Sequence, residues 1–408
     1  MLTGKKLYDF AALVLRTGVN LQKGQGLEIV CPVEKSEVAA AFSEKAYEMG
    51  AKIVHVRWTC DKTDRINYLY AATDALTDIP AWFIDSKNYL VKNGFCYVAI
   101  DAEDPSAFKD VPSDKLAAVA KKKSKLLKRF SDAVMKNAVR WCVVSVPTES
   151  WAKQVFPDSA SPESDLSLAI EKTMRLDEVN PLAAWEKHVG TLERRAEFLN
   201  AARFEYLRYK SANGTDITVG LAENHVWLSA RERAKDGVFF VANMPTEEVF
   251  TAPHKDKADG VVKSALPLSY NGQIIDGFSF TFKKGRVTEF SAEKGYDALK
   301  HLLETDKGTL SLGEVALIGK NSPVAQTKTL FFNTLFDENA SCHFALGKGY
   351  PTTVSGGGDM TAAELKKLGL NDSVEHVDFM IGTDDLSVTG VGYDGKETPL
   401  LIDGEWVI

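Results

Sequence analysis

The chain has 408 residues, 45% hydrophobic and 26% charged, a globular composition too long for one ordinary core, so two domains are expected. Its net charge of −7 argues against a dedicated nucleic-acid surface, and no uncharged stretch is long enough to span a bilayer. Five cysteines, Cys31, Cys60, Cys96, Cys142 and Cys342, scattered without a Cys-x-x-Cys, fit free buried thiols in a reducing cytoplasm.

At the N-terminus Lys5-Lys6 precedes a short apolar run, the order of a signal peptide. Asp9 interrupts that run and no small-residue cleavage site follows, so an amphipathic first helix is expected. Strands are expected at 26–33, 52–58, 95–101 and 141–146, the last ended by Pro147. An Ala-rich helix at 36–49 is closed by Gly50, and one long helix is expected over 116–137. Strands alternating with helices imply an α/β N-terminal domain with an open, mostly parallel sheet. The spaced glycines of a dinucleotide turn are missing after the first strand. His55 reads as a packed or edge histidine. The run Lys121-Lys122-Lys123-Ser124-Lys125, with Lys128-Arg129, sits among Leu126, Leu127 and Phe130 at core-like spacing and reads as a solvated helix face.

Residues 161–202 read as helical, broken at Pro181, with Glu193, Arg194, Arg195 and Glu197 on an ion-pairing face. The domain boundary is placed near residue 190, giving 1–190 and 191–408. Beyond it, short strands are expected at 206–210, 216–221, 238–242, 277–282 and 286–290. Asn213-Gly214 and Asn271-Gly272 are hairpin signals. With helices at 297–304 and 361–368, the C-terminal domain reads as α+β and rich in antiparallel strands.

The chemistry gathers in this second half. Residues 243–254 read Asn-Met-Pro-Thr-Glu-Glu-Val-Phe-Thr-Ala-Pro-His. Along an extended segment only one of Glu247 and Glu248 points inward. A carboxylate in an apolar interior needs a positive receiver, and with no Lys or Arg in the segment a metal cation is one. Glu314 lies at the edge of another apolar run. His343 ends the segment Phe336-Asp337-Glu338-Asn339-Ala340-Ser341-Cys342-His343, and Tyr350 follows. His376 and Asp378, at a spacing of two, leave one face of a strand. Imidazole with carboxylate is the ligand set of zinc, cobalt and manganese hydrolytic sites. Taken singly, these groups also read as core histidines and rim carboxylates. Gly356-Gly357-Gly358 lacks the Gly-Lys-Ser/Thr of a phosphate loop, and no Gly-x-Ser-x-Gly elbow occurs. Cys342 and His343 face opposite ways on a strand and make a poor nucleophile–base pair. His225, His254 and His301 have no partner motif.

Segments 243–253, 336–347 and 376–382 resemble the signature blocks of the thermophilic metalloaminopeptidase family, the aminopeptidase T and S type. Met174-Arg175-Leu176-Asp177 through Trp185-Glu186-Lys187-His188 resembles another block, as does Gly18-Val19-Asn20-Leu21-Gln22-Lys23-Gly24-Gln25. The resemblance covers nearly the whole chain, in order. It implies metal ligands at Glu248, Glu314, His343, His376 and Asp378, with Tyr350 at a further position at the metal site. Glu248 matches because the family commonly reads Pro-Thr-Gly-Glu, with glycine where this chain has Glu247. Peptide substrates with a free N-terminus, a homodimer and a cavity shaped by the N-terminal domain are also implied.

Three carboxylates and two imidazoles are too many acids for one divalent ion and suit two ions sharing a bridging carboxylate. The expected protein is a metal-dependent aminopeptidase holding two zinc, cobalt or manganese ions that activate a water. Tyr350 would donate to the developing oxyanion, and Glu314 would carry a proton to the leaving amine. The alternatives are another two-metal hydrolase, a phosphoesterase or amidohydrolase, and a metal-free binding module on the same fold.

Overall fold

The computed structural model describes residues 2–102, 107–108, 110–270 and 273–408. They divide into two compact units, Met1–Glu186 with Arg231–Pro245, and Lys187–Ala230 with Thr246–Ile408. No helix among the described residues is long and apolar enough to cross a membrane.

In the first unit, β1 (Gly26–Pro32), β2 (Ile53–Thr59), β3 (Cys96–Asp101) and β4 (Trp141–Ser145) form a parallel sheet in the order β2-β1-β3-β4. This is the open α/β arrangement that alternating strands and helices predict. Leu27, Ile29 and Cys31 of central β1 are fully buried, whereas edge strand β2 is half exposed, with His55 at the surface beside Phe95. The expected single helix over 116–137 is instead two, Ser113–Leu126 and Lys128–Met135, broken where Leu127 takes φ −90° and ψ 6°. The break aims the second helix so that Phe130 meets Tyr97 of β3, ring centroids 5.9 Å apart. Arg231–Pro245 returns to this unit because Phe239–Val241 pairs with Arg231–Arg233 and Asn243 bridges to Val143 of β4.

The second unit holds an eight-stranded antiparallel sheet. Its order is Arg286–Ser291, Ser279–Lys283, Pro253–Lys263, Asp216–Leu221, Tyr206–Lys210, Ser387–Val391, Glu397–Ile402, Glu405–Trp406. Gly214, at φ +101°, turns the hairpin between Tyr206–Lys210 and Asp216–Leu221. The expected turn at Asn271-Gly272 lies outside the described residues; Leu268–Tyr270 and Gln273–Ile275 pair antiparallel on either side of it.

A smaller antiparallel sheet consists of β5 (Val249–Thr251), β6 (Leu312–Leu317), β7 (His343–Gly347) and β8 (His376–Met380), in the order β8-β7-β6-β5. Alternation sends Phe344 and Phe379 to the face opposite His343 and Asp378. There Phe344 packs edge-on against Tyr209 at 4.8 Å and Phe379 against Phe280 at 5.2 Å. All four rings are buried, each contributing about 1.5–3 kcal/mol of burial. A slip of one residue would exchange rings for polar donors, so this packing pins the register.

Candidate metal centre

Register brings the polar residues of the small sheet together. Ala345 of β7 faces Glu314 of β6 on one side and Asp378 of β8 on the other, and Gly347 faces His376. Residues opposite one another in antiparallel strands share a face, and His343 shares it through its spacing of two from Ala345. A bulge between Leu312 and Glu314 shifts β6 locally. Gly313 permits it: a Cβ there would lie 2.4 Å from the Gly347 carbonyl oxygen. Glu248 immediately precedes β5, where Phe250 faces Ala316, so alternation puts Glu248 on the side of Glu314.

His343 Nε2 lies 3.3 Å from Glu248 Oε2 and 3.4 Å from Glu314 Oε1. His376 Nε2 lies 3.8 Å from Glu314 Oε2 and 3.2 Å from Asp378 Oδ1. Donor atoms of Glu248, Glu314 and His343 all lie within 4.8 Å of one another, as do those of Glu314, His376 and Asp378. Glu314 belongs to both groups. On the far side of each ring, His376 Nδ1 is 2.7 Å from the Lys348 carbonyl and His343 Nδ1 is 3.3 Å from the Ser341 carbonyl. An Nδ1–H donated to those carbonyls leaves Nε2 as a lone pair aimed at the carboxylates.

Such a group requires positive charge. Burial pushes the Glu314 carboxyl up to about 7, against the His343 contact and with the help of Glu248 and Asp378. Burial lowers His376, but Asp378 and Glu314 outweigh it and lift the imidazole to about 10. His343 rises well above its ordinary value because Glu248 and Glu314 overcome the same burial. Imidazole protons are one source of that charge, and divalent cations are the other. With Nε2 unprotonated, Asp378 Oδ1 is buried without a hydrogen-bond donor among the described residues. Neutral imidazole nitrogen with carboxylate oxygen is the donor set divalent metals take, so these residues fit one.

Tyr350 follows β7, its ring centroid 4.7 Å from that of His376 and 6.5 Å from that of Phe250. Burial, reinforced by Glu314 and Asp378, holds its hydroxyl above the ordinary phenol range. Tyr350 therefore keeps its proton. Lys348 offers His376 its backbone carbonyl, while its side chain belongs to an exposed residue.

Two features escape a reading of the sequence. Glu338 lies in the segment that leads to His343. Burial, then Asp378 and Glu248, push it well above the ordinary carboxylate range, and it lines a small cavity with Asp378. The adjacent acids Asp337-Glu338 were the available signal, but they have different roles. Asp337 accepts the Phe331 and Asn333 amides at 2.7 and 3.0 Å.

The second is Glu247. Glu247 is 5% exposed, while Glu248, at the metal site, is the less enclosed of the pair. The Glu247 carboxylate lies 3.6 Å from His188 Nε2, and the Glu247 amide donates to Asn339 Oδ1 at 2.7 Å. The groups that face this acid, the His188 imidazole and the Arg195 guanidinium, come from a helix distant in sequence, Pro181–Ala202.

The remaining candidates stay apart. Cys342 Sγ contacts the Ile318 amide and carbonyl, both at 3.3 Å, and burial pushes its thiol up to about 11. His225 Nδ1 meets the Ala222 carbonyl at 3.1 Å, the His254 ring contacts the Asp256 amide, and His301 is exposed.

A family model described as thermophilic metalloprotease (M29) matches residues 3–406. "Aminopeptidase 2" of Geobacillus stearothermophilus is 42% identical over 404 residues, covering 98% of both chains. "Aminopeptidase AmpS" of Bacillus subtilis (strain 168) is 41% identical over 404 residues, again covering 98% of both. The solved structure of wild-type AmpT from Thermus thermophilus matches with a TM-score of 0.92 at 36% identity, over 98% of this chain and 99% of that one.

Proposed function

The chain belongs to the thermophilic metalloprotease (M29) family and is a metal-dependent aminopeptidase; we propose that it works through two divalent ions held by its C-terminal unit. The observation that carries this reading is Glu314, whose two oxygens face two different imidazoles. Glu248, Glu314 and His343 are assigned to one ion, and Glu314, His376 and Asp378 to the other. Zinc, cobalt and manganese all suit that set.

When bound, such ions polarise the scissile carbonyl and bring the pKa of an attacking water near neutrality. The other tasks fall to side chains. Tyr350, which keeps its proton, donates to the carbonyl oxygen as that oxygen gains charge. Both oxygens of Glu314 are committed, so the proton for the leaving amine, which the sequence assigns to Glu314, is reassigned to Glu338. The Lys348 and Ser341 carbonyls hold the two rings in the tautomer that presents Nε2. Substrates are peptides with an unblocked N-terminus. We also propose a homodimer, which the family resemblance supports, and a cytoplasmic location, which five cysteines free of disulfides support.

The test uses chelator-stripped protein to which zinc, cobalt or manganese is restored separately, with a leucine-linked chromogenic amide offered free or N-acetylated. Cleavage of the free amide alone, dependent on metal and lost in folded Glu248→Ala and His376→Ala variants, is expected. Cleavage of the acetylated amide, or no cleavage by folded protein with any metal, would overturn the reading.

A further inference from the structure

The small cavity beside Asp378 has a lining of two chemical kinds, the acids Asp337, Glu338 and Asp378 and the apolar side chains of Leu268, Leu330, Phe332 and Met380. Its volume is about 80 Å³. At about 10–15 Å³ of such space per water, that accommodates several waters, or the compact aliphatic side chain that would displace them.

The wall is built under strain. Phe332 has φ +54°, in the left-handed region where a bulky side chain is an outlier, at a cost of about 1–3 kcal/mol. Asp337 holds it there. This buried carboxylate accepts the amides of Phe331 at 2.7 Å and Asn333 at 3.0 Å, and that of Phe332 as well. Strain of this kind persists only where surrounding structure enforces it, and it concentrates at ligand sites.

We propose that this cavity receives the side chain of the substrate's N-terminal residue, an aliphatic group held against Phe332, with Phe332 setting the size limit. This rests on the aminopeptidase reading and names the substrate class of that site.

The experiment compares kcat/KM of the metal-loaded full chain on alanyl, leucyl, phenylalanyl and tryptophanyl amides sharing one leaving group. The parent should favour leucyl over tryptophanyl by at least about tenfold, a hydrophobic pocket discriminating by roughly 10–200-fold per small group. Phe332→Ala should raise the tryptophanyl-to-leucyl ratio at least about tenfold. Thr334→Trp, at an exposed residue of the lining, should depress leucyl relative to alanyl by about the same factor without disturbing the core. Either variant suffices if it melts cooperatively and carries its metal. Ratios within about twofold of the parent's in such a variant would overturn the subsite and leave the aminopeptidase reading intact. A parent inert towards all four amides would overturn the reaction itself.

Discussion

Glu314 and Asp378 face each other across Ala345, one from each neighbouring strand of the same sheet. Opposite Cβ atoms in adjacent strands stand about 4.5–5.5 Å apart, so a single buried methyl separates the rows that carry the two carboxylates. Ala345→Val fills that gap. It should weaken metal binding by about 10–100-fold and cost about 1–3 kcal/mol through overpacking. Calorimetric titration of zinc into stripped protein measures it. Unchanged affinity would show that the donors do not converge over Ala345.

Glu338→Gln keeps the size of the side chain and removes its ability to carry a proton. Turnover should fall by about 10²–10⁴-fold while the bound metal stays at the parent's level. Elemental analysis beside kcat separates the outcomes. Loss of metal would make Glu338 a ligand rather than a proton carrier.

Glu247→Gly should cost stability but leave turnover in place. Glu247 lies 3.6 Å from the His188 ring and supports the charge of Arg195, whose pKa burial lowers against the pull of Glu247 and Glu405. Unbalancing buried polar groups costs about 1–3 kcal/mol, visible as a lower midpoint in urea. A metal-loaded variant without activity would place Glu247 in the reaction and reverse the choice between the two glutamates.

Asp306 organises the approach to β8. Its carboxylate accepts the amides of Gly308, Thr309 and Val374 at 2.6, 3.0 and 2.8 Å, and the Ser373 hydroxyl at 2.9 Å. Burial raises its pKa, but these donors outweigh that and hold it below the ordinary 3.8. A carboxyl depressed on folding contributes stability that is complete above its unfolded pKa and is lost as pH falls through the folded one. The difference in melting temperature between parent and Asp306→Asn should hold from about pH 7 to 5 and close below about pH 4. A difference that persists unchanged at about pH 3 would reject this.

Alternation along single strands was legible without a structure. His376-Val377-Asp378-Phe379 states which side chains share a face, because the side-chain period of a strand is two whatever its neighbours are. Likewise, alternating strands and helices announced the parallel sheet of the first unit. The residues around Leu127 were misread for the corresponding reason. Helical periodicity continues through a break whose purpose is to turn Phe130 towards Tyr97, and that contact belongs to the tertiary structure. The different roles of Asp337 and Glu338 were hidden too, since two adjacent acids look alike until the partners of each are known.

The sequence by itself determined which donor atoms exist and which side of its strand each occupies, together with the family to which they belong. Only the tertiary structure decided which donors meet. Alternation is local covalent geometry, whereas the alignment of Glu314, Ala345 and Asp378 depends on register between strands far apart in the chain. Packing of Phe344 and Phe379 against Tyr209 and Phe280 secures that register. The same applies to Glu247: its charge is plain in the sequence, but the imidazole of His188 that receives it comes from another element brought alongside by folding.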